Sequence, residues 1–364
     1  MMVVAFHLFE PYSEGDHTRQ IINHGYLAVD FFFALSGFVI GYAYDDRWTK
    51  GMSTWTFFKR RLVRLHPLIL FGTIIGALMF YFQDGVQDWN KIASTPWWML
   101  ALVCIYGFTL IPLPKSLDIR GWGEMHPMNN VFWSLMWEYI ANILYALFIR
   151  RFPKWLLAAL VAFSAILTAM LCLDLDAFGL LAARSSAAYT VIGGWSLEPQ
   201  DLQIAITRLF CPFFSGLLLS RLKWRIPAYK AGFAKASLIV IVLLAMPYFA
   251  PASMPWVNGL YEALAIILVF PFVLLIGTGS KLADTIESRV CKFLGDISYP
   301  LYVTHLPFVF CQMSWAAAHK DAPVAQHFAT GLATFVVSVM LAYASLRLYD
   351  IPVRRWLTNK GVTK

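Results

Sequence analysis

Six ionisable side chains fall within or just inside apolar stretches of this 364-residue chain: His7, Asp30, Glu138, Arg208, Glu262 and His305. A charge in hydrocarbon is costly, so such groups are functional candidates by default. Imidazole titrates near neutral pH and accepts a hydroxyl proton, which makes His7 the candidate general base. Asp30 or Glu138 would orient that ring and stabilise its charged form, following triad logic. Arg208 and Glu262 either join this polar layer or serve as a structural ion pair. His305 either lines a cavity or is a hydrogen-bonded core histidine. A second cluster, Arg60, Arg61 and Arg64, offers different chemistry, because guanidinium forks hold phosphate oxygens bidentately. A plain positive anchor accounts for that charge, but not for Arg61 and Arg64 recurring at i, i+3 just ahead of Pro67.

Other residue types point to packing. Trp133 and the run Phe31-Phe32-Phe33 are more often interfacial belt than sugar platform. Ser36-Gly37 is expected to let helices approach closely rather than to supply a nucleophile. Ser298-Tyr299-Pro300 reads as a helix start, with Ser298 as cap and the proline just inside. Cys104, Cys172, Cys211 and Cys311 lie in apolar runs and Cys291 beside Lys292, with no CxxC pair or metal-ligand spacing, so they are read as packing residues and no metal is expected.

The elements that must position these groups follow from composition. The chain is 59% hydrophobic, 16% aromatic and only 14% charged, with a mean hydropathy of +0.61. Soluble domains average about 45–50% apolar and about 25% charged. Disorder, coiled coil, collagen and a disulfide-stapled module are excluded, and an all-α polytopic membrane bundle remains. The net charge of +8 then marks loops on one side of the membrane rather than a nucleic-acid surface. Apolar runs of spanning length lie at 25–44, 65–82, 131–149, 155–173, 203–220, 236–252, 257–277, 297–316 and 326–346, with a shorter one at 97–113 bracketed by Pro96, Pro112 and Pro114.

Loop charge sets orientation. Loop 45–64 (Arg47, Lys50, Lys59 and the three arginines, against Asp45 and Asp46), loop 221–235 (Arg221, Lys223, Arg225, Lys230, Lys235) and the tail after 346 (Arg347, Arg354, Arg355, Lys360, Lys364, against Asp350) are expected to be cytoplasmic. Loops 10–24 (Glu10, Glu14, Asp16, Arg19) and 174–202 (Asp174, Asp176, Arg184, Glu198, Asp201) are expected outside. Arg150, Arg151 and Lys154 also belong inside, yet three apolar runs separate them from loop 45–64. The parity is restored if 97–113 is re-entrant or interfacial, which leaves about ten crossings and a cytoplasmic C-terminus. The first segment has only six residues before His7, about 9 Å of helix. It is therefore expected to be the truncated outer half of a first helix.

Five segments in order resemble the acyltransferase 3 family of integral membrane acyltransferases. Val3 to His7 is similar to the end of the family's first helix with its histidine. Gly25 to Phe38 matches G-x-x-G/A-V-D-x-F-F-x-x-S-G-F, and Phe58 to Pro67 the R-x-x-R-x-x-P loop. Trp133 to Glu138 matches W-S-L-x-x-E, and Leu294 to His305 matches L-G-x-I-S-Y-x-x-Y-x-x-H. Two features depart from the pattern. The family's arginine eleven residues before the histidine falls ahead of Met1, and the aromatic pair after the family glutamate is replaced by Ala141-Asn142.

The resemblance implies a single membrane domain over residues 1–364 that moves an acyl group, often acetyl, from a cytosolic thioester donor to a hydroxyl of an envelope carbohydrate or lipid-linked glycan. His7, Glu138 and Asp30 would be catalytic. Arg60, Arg61 and Arg64 would bind the donor, acyl-CoA, which is a substrate rather than a resident cofactor. Trp133, Ser134, Ser298, Tyr299, His305 and Arg208 would line the cavity between. The expected setting is a bacterial inner membrane, with no nucleic-acid partner. The rival from another class is a secondary exporter using the intramembrane carboxylates as proton relays. Against it stand the lack of an internal repeat and the clustering of arginines in one loop. A third reading is an inactive truncated paralogue.

Overall fold

The computed structural model describes residues 1–13, 16–83, 90–183, 188–224, 229–230, 232–251, 253–281 and 285–362. Glu14, Arg184, Arg225 and Lys364, counted above among the loop charges, lie outside the described residues. The chain is a helical bundle. In order, its helices are α1 (Met2–Phe9), α2 (Ala28–Thr49), α3 (Thr54–Phe80), α4 (Asn90–Ser94), α5 (Trp97–Thr109), α6 (Phe132–Leu147), α7 (Lys154–Cys172), α8 (Pro199–Leu222), α9 (Gly232–Ala245), α10 (Trp256–Leu264), α11 (Phe270–Thr278), α12 (Thr285–Thr304), α13 (Leu306–Ala318), α14 (Val324–Ser345) and α15 (Ile351–Asn359). Pairing of extended chain among the described residues is confined to the parallel dipeptides Tyr229–Lys230 and Ser280–Lys281 and to one bridge, Glu124 to Ser196.

Among the described residues, six helical stretches are long and apolar enough to cross a membrane: Asn23–Thr49, Thr54–Gln83, Lys154–Cys172, Pro199–Leu222, Trp256–Thr278 and Val324–Asn359. On α14, Val324, Phe328, Leu332, Val336 and Met340 recur every fourth residue and are all exposed. Such a continuous apolar stripe has no partner in the bundle and requires a lipid one. The protein is a multi-pass membrane protein.

Local chemistry sets the breaks. Ser53 caps α3, its hydroxyl accepting from the Thr56 N–H at 3.0 Å. Run 297–316 is not one helix beginning at Ser298, as expected. α12 starts thirteen residues earlier, at Thr285, and Ser298 and Pro300 lie inside it. The break comes instead at His305, because Pro307 has no N–H to return to the Val303 carbonyl. Asn129 Nδ2 donates to that carbonyl at 2.6 Å. π-helical turns at Ala265–Val269 and Leu346–Asp350 likewise run into helices whose second residues are Pro271 and Pro352. There the wider turn accommodates a residue that cannot close an i−4 bond.

Three loops meet at one end of the bundle. Arg221, at the end of α8, bonds Asp45 at the end of α2 (Nε to Oδ2, 2.8 Å) and the Ile149 and Phe152 carbonyls after α6. Arg150 lies over the Trp48 ring at 4.3 Å. This is the basic end. α3 leaves it and α6 returns to it, so residues 81–131 make no net crossing. α5, thirteen residues or about 20 Å long, packs against α3, where Gly107 admits Thr73. Segment 97–113, expected to be re-entrant or interfacial, thus contains an apolar helix shorter than the spanning stretches.

The tightest helix pair is α2 with α8. A Cβ on Gly37 would overlap the Phe213 carbonyl, and one on Gly216 the Ala34 carbonyl. The two glycines interlock the backbones, as small residues do between membrane helices.

Candidate active site

A cavity of about 230 Å³ opens between α2, α3, α6 and α12. Each helix contributes residues three or four apart, hence one face: Val29, Phe32, Ser36 and Val39 from α2; Arg61, Arg64 and Leu65 from α3; Ser134, Leu135 and Glu138 from α6; Ser298, Tyr299 and Tyr302 from α12. Its wall is mostly apolar, with polar groups concentrated at one level. There Arg61 Nη2 donates to Glu138 Oε1 at 2.7 Å, and Ser36 Oγ donates to the same oxygen at 2.9 Å. Arg61 Nε is buried and lacks a hydrogen-bond partner. Tyr299 Oη donates to the Leu65 carbonyl at 2.7 Å, and Ser134 Oγ and Tyr302 Oη share a 2.6 Å bond.

Of the residues singled out from sequence, Arg61, Arg64, Glu138, Ser134, Ser298 and Tyr299 come together here. Arg60, on the same helix, does not line this cavity. Asp30 and Arg208 are also elsewhere. They form a fully buried pair with Nη2–Oδ2 at 2.7 Å and Nε to both carboxylate oxygens at 3.2 and 3.3 Å. The remaining Arg208 donors reach the Gly193 and Tyr26 carbonyls, and the guanidinium lies over the Trp133 ring at 5.2 Å. Asp30, Arg208 and Trp133 thus build one packed knot rather than a cavity wall, and Asp30 is committed to arginine rather than to His7. Glu262 is not part of that ion pair. It accepts from Tyr26, Asn258 and the Val191 N–H, at 2.5, 2.7 and 2.7 Å.

His7 also differs from expectation. Its ring is held by neither Asp30 nor Glu138 but by Glu10, with Nδ1 to Oε2 at 2.8 Å. The i, i+3 spacing of His7 and Glu10 on one helical turn was the available signal. His305 does not line the cavity. It is buried beside His7, ring centroids 5.4 Å apart. Its Nδ1 is within 2.9 Å of the Leu301 carbonyl and 3.0 Å of the Tyr302 carbonyl, so that nitrogen is the donor and Nε2 is left without a partner. Tyr302, one turn back on α12, lies 6.2 Å from His305 ring to ring and lines the cavity. Tyr302 and His305 therefore connect the arginine level to His7. Tyr302 carried no sequence argument of its own beyond its place in the last family-like segment.

The segment between α5 and α6 packs on α13 and the end of α3. Arg120 is buried there over the Phe310 ring at 4.2 Å and donates to the Pro127 carbonyl. Burial pushes the Glu124 carboxyl up to about 8, with Arg120 opposing the shift and Asp118 and Glu10 adding to it. Burial drives the His126 imidazole down to about 3.

Comparison with known proteins bears on the family of the chain. The acyltransferase-domain family Acyl_transf_3 matches residues 1–343. "Protein 2 in picA locus" of Rhizobium radiobacter is 31% identical over 141 residues, covering 36% of this chain and 71% of that protein. No solved structure matches. A match over that much of the chain means that this multi-pass membrane protein belongs to the acyltransferase 3 family and is an acyltransferase.

Proposed function

We propose that the protein transfers an acyl group, acetyl in the simplest case, from a cytosolic acyl-CoA to a hydroxyl of an envelope carbohydrate or lipid-linked glycan. The observation carrying this reading is the cavity itself: segments far apart in the chain bring two arginines, a carboxylate and several hydroxyls to one pocket. In this account the basic end faces the cytoplasm of a bacterial inner membrane. Arg61 and Arg64 hold donor phosphates at the mouth, and the acyl thioester lies along the apolar wall towards Tyr302. His7, oriented by Glu10, takes the acceptor hydroxyl proton as that oxygen attacks the thioester carbonyl. The C–S bond breaks, the CoA thiolate leaves and is protonated, and the products are the O-acyl ester and free CoA. A curated relative named for the picA locus is compatible with this reading without specifying the acceptor.

The test is release of CoA thiol from acetyl-CoA by purified protein in nanodiscs, with and without envelope glycan. Glycan-dependent thiol release, lost in His7→Ala at unchanged protein level, supports the proposal. Unchanged release by His7→Ala removes His7 from the mechanism. Transport of a solute without any thiol release overturns the reading altogether.

A further inference from the structure

We propose that Arg354 on α15 is a third cation of the donor site and, with Arg64, grips a phosphate of the donor's nucleotide; this rests on the cavity being a thioester-donor site. The α14–α15 rod runs antiparallel to α3. Its Tyr349 ring packs on Phe71 with centroids 5.3 Å apart. Five residues further along α15 and seven residues back along α3, rises of about 7.5 and 10 Å, Arg354 and Arg64 come to the same level. Arg64 feels the charges of Arg354, Asp350 and Arg61.

Charge at that level is unbalanced. Arg61 is matched by Glu138, and Arg354 by Asp350, Nη2 to Oδ2 at 2.6 Å. Arg64 lines the cavity with no carboxylate at ion-pair distance among the described residues. Two guanidiniums of like charge, Arg64 and Arg354, therefore stand at one level near enough to repel each other. A phosphate between them turns that repulsion into two charge-assisted bonds. Asp350 is itself buried, one carboxylate oxygen lacking a hydrogen-bond partner, and fixes the Arg354 side chain rather than consuming it.

Generic positive-inside charge makes Arg354 and its neighbour Arg355 equivalent, whereas the structure distinguishes them. Arg354 is half-buried and paired, and Arg355 is exposed. Arg354 also lies beyond the residues that the family match covers, 1–343.

The experiment is titration of the full chain, in nanodiscs of zwitterionic lipid, with CoA and with 3′-dephospho-CoA. Arg354→Ala is expected to weaken CoA binding roughly ten- to hundredfold, and Arg355→Ala, which removes the same charge, by less than about twofold. Because Arg354→Ala strands Asp350, the double variant Asp350→Asn/Arg354→Gln is measured too. It leaves net charge unchanged and is expected to lose the same affinity. A loss confined to CoA assigns Arg354 to the ribose phosphate, and a loss with both ligands assigns it to the pyrophosphate. Equal effects of Arg354→Ala and Arg355→Ala, or wild-type affinity in the double variant, overturn the Arg354 assignment alone. Absence of CoA binding by the wild type overturns it together with the donor-site reading.

Discussion

The protein holds two arginine–carboxylate pairs of identical closest distance, 2.7 Å, in opposite circumstances. Arg208–Asp30 is sealed: all its guanidinium nitrogens donate, and an indole covers one face. Arg61–Glu138 stands at a cavity wall, with a guanidinium N–H unpartnered and a second arginine alongside. A saturated pair has no capacity for a ligand, so its energy goes into fixing helices. An unsaturated pair beside empty space is a binding surface. The distinction lies in spare hydrogen-bonding capacity rather than in charge or burial, and it separates residues that look equivalent in the chain.

The largest effect that tests this contrast is on folding. Arg208→Ala leaves Asp30 buried without a counter-charge, which costs about 3–5 kcal/mol, and well-folded protein is expected to be largely lost in detergent. Wild-type thermal stability with selectively lost activity would instead move Arg208 into the functional class. Next in size is Arg61→Ala, expected to keep the melting temperature within a few degrees while donor affinity falls roughly ten- to hundredfold. If its stability falls as far as that of Arg208→Ala, the two pairs are not different in kind.

A smaller effect sharpens the contrast with a third carboxylate. Glu124 is buried like Asp30, yet among the described residues no ion pair holds it, and it stays protonated to about pH 8. A carboxyl raised in the folded state contributes stability that is fully present below its unfolded value and lost as pH rises through the folded one. His126, lowered to about 3, has the opposite sign, its contribution being lost as pH falls below about 6.5. Between pH 6.5 and 8 folded Glu124 holds a proton that the unfolded chain has released, so its own contribution to stability should decline there by at most about 1.4 kcal/mol per unit. In unfolding curves across that range Glu124→Gln should remove the decline. An identical slope in the variant would assign it to another group.

The helical membrane architecture and most of the segments that build the cavity were legible, because apolar length and local motif spacing are properties of short stretches, although run 297–316 is two helices rather than one. Pairing was not. Glu138 was expected beside His7 but meets Arg61, since which polar groups share a depth and a face depends on the crossing of helices far apart in sequence. The His305 break was hidden for a similar reason: Pro307 weakens a turn, but Asn129, from another segment, takes up the freed carbonyl. The His7–Glu10 contact, by contrast, joins residues one helical turn apart in the chain.

The interlocked α2 and α8 carry a consequence for how the protein is made. Asp30 and Arg208 are 178 residues apart, so at about 5–20 residues per second the ribosome needs on the order of 10–40 s to supply the second after the first. During that interval α2 is inserted with a carboxylate that has no counter-charge, at a cost on the translocon scale of up to about 3 kcal/mol. The glycine faces that admit α8 are also uncovered. Emergence of α8 ends both deficits in one docking event, so α2 is expected to remain exchangeable with the insertion machinery until then.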